Sequence, residues 1–401
     1  MNLVTLSASY LRARPLNTAL NVLLLALGIA TITLLMLATA QLEERMQRDA
    51  RDIDLVVGAK GSPMQIILSG IYHLDVPTGN IPLKAAQELS GNRLVAKAMP
   101  LAMGDSFNGY RIVGTNADYI AHYGAQIASG RLWSRPMEAV LGAEVAARSG
   151  LAPGATLKGV HGIGGSGDEH GDSPYSVVGV LKPSNSVLDR LVLTSVESVW
   201  QVHEVHHELK DAEDRKAMEE GREVTVLLVK YASPLAAATL PRFINGQSEL
   251  QAASPAYETA RLFRIAGAGV EVLRGFALVL VLAAGLSLFI ALYNALEERR
   301  SDLAVLRTLG ARPAQLMALM MLEGVLLALA GALLGLALGH ALTGVLGNWL
   351  AAEQGIVLTG FTWLGEELAL LVLALLVGVL AAVLPAWAAY RTDIAKTLSD
   401  V

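Results

Sequence analysis

The chain has 401 residues, of which 53% are hydrophobic and only 17% charged, and its mean hydropathy is +0.46. Charged residues make up about a quarter of an ordinary soluble domain, so this composition is too apolar for a soluble enzyme and has the Leu, Ala, Val and Gly excess of membrane helices. A net charge of −5 with both signs dispersed leaves no nucleic-acid footprint, and the lack of cysteine excludes disulfides and thiolate metal sites.

Residues 1–14 form a short N-terminus carrying Arg12 and Arg14, followed by an uncharged run over 15–42. That run is about twice as long as the apolar core of a signal peptide, so it is expected to be a retained span. Residues 43–270 then make a large domain with its own core. "YRIVGT", "YSVVGVLK", "RLVLTS" and "EVTVLLVKY" predict strands, while "MEAVLGAEVAARSGL" and "LKAAQELSG" predict short helices closed by Gly. The pattern is α+β. At its two ends, "QLEERMQRDARD" and "SPAYETARLFRIAGAGVEVLRGF" predict helices that run into spans as stalks, the second capped by Ser254 with Pro255 at its first position. The same stretches also suit plain solvated helix ends. "HGIGGSGDEHGD" predicts a flexible loop.

A second span is expected over 275–296, a short segment over 297–313, a third span over 314–347, a short loop over 348–366, a fourth span over 367–390 and a tail over 391–401. Between Arg312 and Glu353 the only charge is Glu323, and this run is too long for one simple crossing. One helix that overshoots the membrane is expected, because two crossings would put the C-terminus on the other side. Arg12, Arg14, Arg299, Arg300, Arg307, Arg312, Arg391 and Lys396 all fall on one side of a four-span arrangement, and 351–366 has no Lys or Arg. The positive-inside rule then puts both termini and 297–313 in the cytoplasm and 43–270 outside.

The segment "LEERRSDLAVLRTLGARPAQLMALMMLEG" returns to the membrane after one small helix, taken as 301–310. Leu303, Leu306 and Gly310 share a face, Val305 and Leu309 lie beside it, and Arg299, Arg300, Asp302 and Arg307 supply charge. Gly310 suits a C-cap and Pro313 the first turn of the next helix. A helix this short needs something to pack on, either lipid headgroups or a cytoplasmic protein.

This segment resembles the one after the second span in permeases of the MacB, FtsX and LolC/LolE family, through Glu298, Arg299, Arg300, Leu306, Arg307, Leu309, Gly310, Ala311 and Glu323. "VLPAWAAYRTDIAKTLS" resembles the family's C-terminal ending, and the order of one span, a large external domain and three spans is similar too. The resemblance implies a four-span protein with an α+β periplasmic domain in a bacterial inner membrane. It also implies a homo- or heterodimer, a separate cytoplasmic ABC ATPase that binds ATP and Mg2+, and a coupling role for Glu298, Arg299, Arg300, Asp302, Leu303, Leu306, Arg307 and Gly310. This chain lacks a G-x-x-x-x-G-K-[ST] loop, and "GAKGS" does not replace it, so the ATPase activity is expected in the partner and no cofactor in this chain. On that reading Leu306→Glu uncouples the ATPase.

Three further features have competing explanations. Gly331, Gly335 and Gly339 recur at spacing four on one helix face and suit close packing, inside one protomer or across a dimer. Glu323 within the third span must face protein or water, in a structural or coupling role, and His340 reads as a neutral, satisfied histidine. "HEVHHEL" places His203, Glu204 and His207 in the H-E-x-x-H order of zinc proteases, but no third ligand follows. Metal binding by His203, His206 and His207 competes with a solvated charged helix.

Three functions follow from these features. The first is an ABC transporter permease exporting or extracting a hydrophobic or lipid-linked substrate, with an adaptor among its partners. The second is an FtsX-like signalling module that activates a periplasmic lipoprotein or hydrolase without transport, and the third a membrane zinc protease.

Overall fold

The computed structural model describes residues 3–162, 173–204, 219–247, 249–353 and 356–391. The chain divides into two compact units, residues 1–42 with 266–401 and residues 43–265.

Among the described residues, four helices are long and apolar enough to cross a membrane, Pro15–Asp49, Pro255–Glu298, Pro313–Glu353 and Glu367–Tyr390, and residues 15–42 and 266–298 of the first two belong to the first unit with the other two. Three of them open on proline, whose fixed φ and missing N–H cost nothing at the first helical position. The third is a single helix of 41 residues.

Helices in lipid gain little from apolar contact alone, so their packing rests on close backbone approach. The stripe Gly331, Gly335 and Gly339 provides it against the first span. A Cβ built on Gly335 would lie 2.7 Å from the Ile29 Cβ and 2.8 Å from the Ala26 carbonyl, and one on Gly339 would lie 2.6 Å from the Thr33 Cβ. The stripe is therefore used inside one chain. A second contact of this kind, not singled out in the sequence, joins Gly324 and Gly378 of the third and fourth spans. A Cβ on Gly378 would meet the Ala328 Cβ at 2.4 Å. Around these contacts Leu25, Ile29, Ala277, Val281, Ala332 and Ala374 form a buried core.

The second unit is built on one sheet of eleven strands among the described residues. Its order runs Leu250–Ala253, Leu55–Ala59, Val226–Tyr231, Val95–Phe107, Tyr110–Thr115, Leu191–Ser195, Glu138–Leu141, Tyr175–Leu181 and Ile127–Gly130, with Thr156–Leu157 and Val160–His161 paired off this path. Two pairs are parallel, Leu191–Ser195 with Tyr110–Thr115 and Glu138–Leu141 with Tyr175–Leu181.

Strand Val95–Phe107 belongs to two cores. Its first half pairs with Val226–Tyr231 beside a cluster containing Leu55, Val57, Leu227, Val229 and Ile244. Its second half pairs with Tyr110–Thr115 beside Ile112, Leu141, Val177 and Val192. The register shifts between Met103 and Ser106. There the Thr225 hydroxyl accepts from the Met103 N–H at 2.8 Å and holds the irregularity in place.

The strands expected from "YRIVGT", "YSVVGVLK", "RLVLTS" and "EVTVLLVKY" are present, the last divided into Glu223–Val224 and Val226–Tyr231. "MEAVLGAEVAARSGL" differs from the expected helix. Glu138–Leu141 is a strand, and only Ala143–Ser149 is helical. The cause is tertiary: Ala139, Val140 and Leu141 are fully buried between two neighbouring strands, and that burial outweighs local helix propensity.

Within this unit Tyr72 joins the ends of two long helices. Its hydroxyl donates to the Met46 carbonyl at 3.2 Å and lies 2.9 Å from the Thr259 hydroxyl. The next residue, His73, places Nε2 3.1 Å from the Tyr119 hydroxyl, while its Nδ1 is sealed from solvent and has no hydrogen-bond partner among the described residues. The residue as a whole is only partly buried, but its enclosed ring and the nearby Arg111 guanidinium lower its pKa from 6.5 to about 3. The unfolded chain therefore takes up this proton first, and stability falls as pH drops from 6.5 towards 3, by up to about 1.4 kcal/mol per pH unit. Thermal unfolding of the full chain at pH 7 and pH 4.5 checks this. The wild type is expected to lose more on acidification than His73→Gln, and equal losses would refute it.

Candidate functional site

The residues that the sequence associates with coupling converge at one end of the helical unit. The N-terminal segment contributes first. Leu3–Ala13 is an amphipathic helix, with Leu3, Leu6 and Tyr10 on one face packed against Leu316, Leu319 and Met320 of the third span. The helix stops at Arg14, and Pro15 starts the first span.

Arg299 sits between the second span and the next helix, with 7% of its surface exposed. Its Nη1 lies 3.0 and 3.3 Å from the two carboxylate oxygens of Glu323, which is 1% exposed. The same guanidinium stacks over the Tyr10 ring at 4.0 Å and reaches the Tyr10 carbonyl at 3.5 Å. Three elements thus meet at one cation: the N-terminal helix, the end of the second span and the third span. An intramembrane carboxylate is costly unless paired, and Arg299 provides the partner that Glu323 requires. A small cavity of about 30 Å³ adjoins the pair, with Tyr10, Arg14, Asn17, Asn21, Arg299 and Glu323 among its lining residues. Arg14 with Glu298 and Arg300 with Glu297 are further ion pairs, more exposed and each worth little.

The short helix is Arg300–Thr308. The chain leaves it through Gly310, whose φ of 98° only glycine adopts freely, with Gly310 N–H donating to the Arg307 carbonyl and Ala311 N–H to that of Leu306. Leu303 is fully buried and Leu306 half-buried, both in the cluster of Leu296, Leu316 and Ala386. The outward apolar residues are Val305, 48% exposed, and Leu309, 79% exposed, beside the exposed Arg300 and Asp302. Leu306 packs on the bundle, so a charge there would disturb that packing.

Glu298, Arg299, Arg300, Asp302, Leu303, Leu306, Arg307 and Gly310 thus lie together, and Glu323 joins them through Arg299. Gly331, Gly335 and Gly339 lie apart, in the contact with the first span. His206 and His207 lie outside the described residues, as does the loop expected over most of 161–172. Among the described residues no group of three or more histidine or acidic residues is placed to hold a metal. Sequence reasoning missed Tyr10 and the helix that carries it. The spacing of Leu3, Leu6 and Tyr10 was the available signal, masked by a segment too short to stand out beside the first span.

Residues 18–266 match the family model of the MacB-like periplasmic core domain, and residues 274–394 that of the FtsX-like permease C-terminal region. An uncharacterized ABC transporter permease of Methanocaldococcus jannaschii, MJ1507, is 29% identical over 126 residues, 31% of either chain, so the match spans about a third of that relative's length. Among solved structures, the periplasmic region of MacB from Actinobacillus actinomycetemcomitans aligns with 14% identity and a TM-score of 0.34, covering 54% of this chain and 97% of that one. The extracellular domain of the noncanonic ABC-type transporter YknZ from Gram-positive bacteria aligns with 15% identity and a TM-score of 0.29, covering 50% and 98%.

Proposed function

The chain belongs to the MacB/FtsX-like family of ABC transporter permeases, and from that premise we propose that it couples ATP hydrolysis by a separate cytoplasmic ATPase to motion of its 43–265 domain. The substrate class is hydrophobic or lipid-linked, exported or extracted on the outer side of a bacterial inner membrane. Both termini and the short helix Arg300–Thr308 face the cytoplasm, as the arginine-rich flanks indicate. ATP and Mg2+ are held by the partner, and a second permease copy completes the assembly.

One observation carries this reading. Arg300–Thr308 and its capping residue Leu309 expose Val305 and Leu309 while Leu303 is rooted in the bundle and the preceding Arg299 grips Glu323 and Tyr10. A helix only nine residues long is marginal in water by itself. Fixed on one face and apolar on the other, it can pass a push from a docked protein to the third span and the N-terminal helix together.

The test is co-purification with the cognate ATPase and its activity in lipid nanodiscs, for wild type and Leu309→Glu. A charge on the exposed face is expected to weaken docking by about 1–2 kcal/mol, roughly five- to thirtyfold, with the permease still folded. Leu303→Glu, on the buried face, is expected to cost folding instead. Undiminished docking and activity in a folded Leu309→Glu would remove this face from the coupling path.

A further inference from the structure

We propose that residues 356–366, between the third and fourth spans, form a rigid platform inserted into the lipid interface of the nearer leaflet, with Phe361 and Trp363 as its membrane-contacting side chains.

The loop backbone is pinned from three sides. Gln41 of the first span donates from Nε2 to the Thr359 carbonyl at 2.9 Å and accepts from the Thr359 N–H at 2.8 Å. His340 of the third span places Nδ1 2.8 Å from the Gly360 carbonyl and Nε2 3.0 Å from Glu367, at the start of the fourth span. Glu367, itself 3% exposed, accepts from the Leu364 N–H at 3.0 Å. The backbones also touch: a Cβ on Gly360 would lie 2.2 Å from the His340 carbonyl, and one on Gly347 2.0 Å from that of Leu358.

This anchoring serves a surface that is poorly suited to water. Phe361 is 92% exposed and Trp363 73%, although the His340 ring lies 4.5 Å from the indole and fixes its side. Val357 is 56% exposed beside them. A mobile loop could fold such side chains away, whereas this one holds them outward.

The occupant follows from what surrounds the loop. It joins two membrane-crossing helices, and exposed apolar residues flank it on both: Val345 and Trp349 before it, Leu368 and Val372 after it. Residues 351–366 carry no Lys or Arg. Aromatic rings are enriched at the boundary between headgroups and acyl chains, where the ring is desolvated and the polar backbone stays hydrated. Lipid of that boundary therefore covers the platform, whichever side of the membrane it occupies.

The test uses the full chain in lipid bilayers, with Trp363 kept and Trp133, Trp200, Trp349 and Trp387 replaced by Phe. Its fluorescence is read in phosphatidylcholine brominated near the glycerol end of the acyl chain, in lipid brominated near the chain terminus, and with aqueous iodide. The proposal expects the largest loss of emission with the shallow bromine, a smaller loss with the deep one and little with iodide. Quenching by iodide alone would overturn it by placing the loop in water. Protection from all three would overturn it by placing protein, such as a second copy of the chain, over the ring. If the fourfold replacement does not fold, the difference between wild type and Trp363→Phe gives the same reading.

Discussion

Arg299→Ala is expected to destabilise the helical unit by about 3–5 kcal/mol, because it strands the Glu323 carboxylate inside the bundle. Arg299 and Glu323 are 7% and 1% exposed, and the carboxylate takes both of its short contacts from one guanidinium nitrogen. Removing the cation also frees the Tyr10 ring and loosens one of the contacts that hold the N-terminal helix. Replacing both partners with apolar residues, as in Arg299→Met with Glu323→Leu, leaves no unpaired charge and is expected to recover most of the loss. Thermal unfolding of wild type, both single variants and the double variant in the same detergent gives the full cycle. A single variant as stable as wild type would mean that the pair is not buried as described. The cycle also separates structure from coupling, since a double variant that is stable yet no longer stimulates the ATPase would show that the charge pair transmits motion.

Gly335→Leu is expected to have a comparable effect through shape alone. Even its Cβ would fall 2.7 Å from the Ile29 Cβ and 2.8 Å from the Ala26 carbonyl, and the remaining side chain has nowhere to go but between two backbones. Overpacking typically costs about 1–3 kcal/mol, and here the third and first spans must separate along a contact that Gly331 and Gly339 also maintain. Gly275→Leu in the second span is the control, because a Cβ there meets nothing within 4 Å. The control is expected to stay within about 0.5 kcal/mol of wild type. The same unfolding midpoint for both variants would contradict the packing of the first span on the third.

The spans were legible because hydropathy over twenty or more residues is a cumulative signal that one polar residue does not erase, as Glu323 shows. The small helix was legible from punctuation, with Gly310 and Pro313 marking its end and the next beginning. Its orientation was not. A two-turn helix with Leu303, Leu306, Val305 and Leu309 has apolar residues on more than one face, and only the packing of Leu303 and Leu306 on Leu316 and Ala386 decides which face is outward. Glu323 was recognised as needing a partner, but Arg299 lies twenty-four positions away and no local spacing connects the two. Glu138–Leu141 was read as helix because its neighbours on the sheet come from residues 175–181 and 191–195, which a local window does not see.

The strand order of the 43–265 unit also sets a timetable for its completion. Leu55–Ala59 is the first strand made, yet its two partners are Val226–Tyr231 and Leu250–Ala253, the last two of the sheet. During synthesis, therefore, an apolar LVVGA segment must wait with both edges open while the rest of the domain emerges. The lobe around Ile112 and Val192 draws its core from residues 107–202 and has no such delay. The part of the domain nearest the first span in sequence is thus the last that can close, and until it does the newborn chain carries an open apolar edge outside any core.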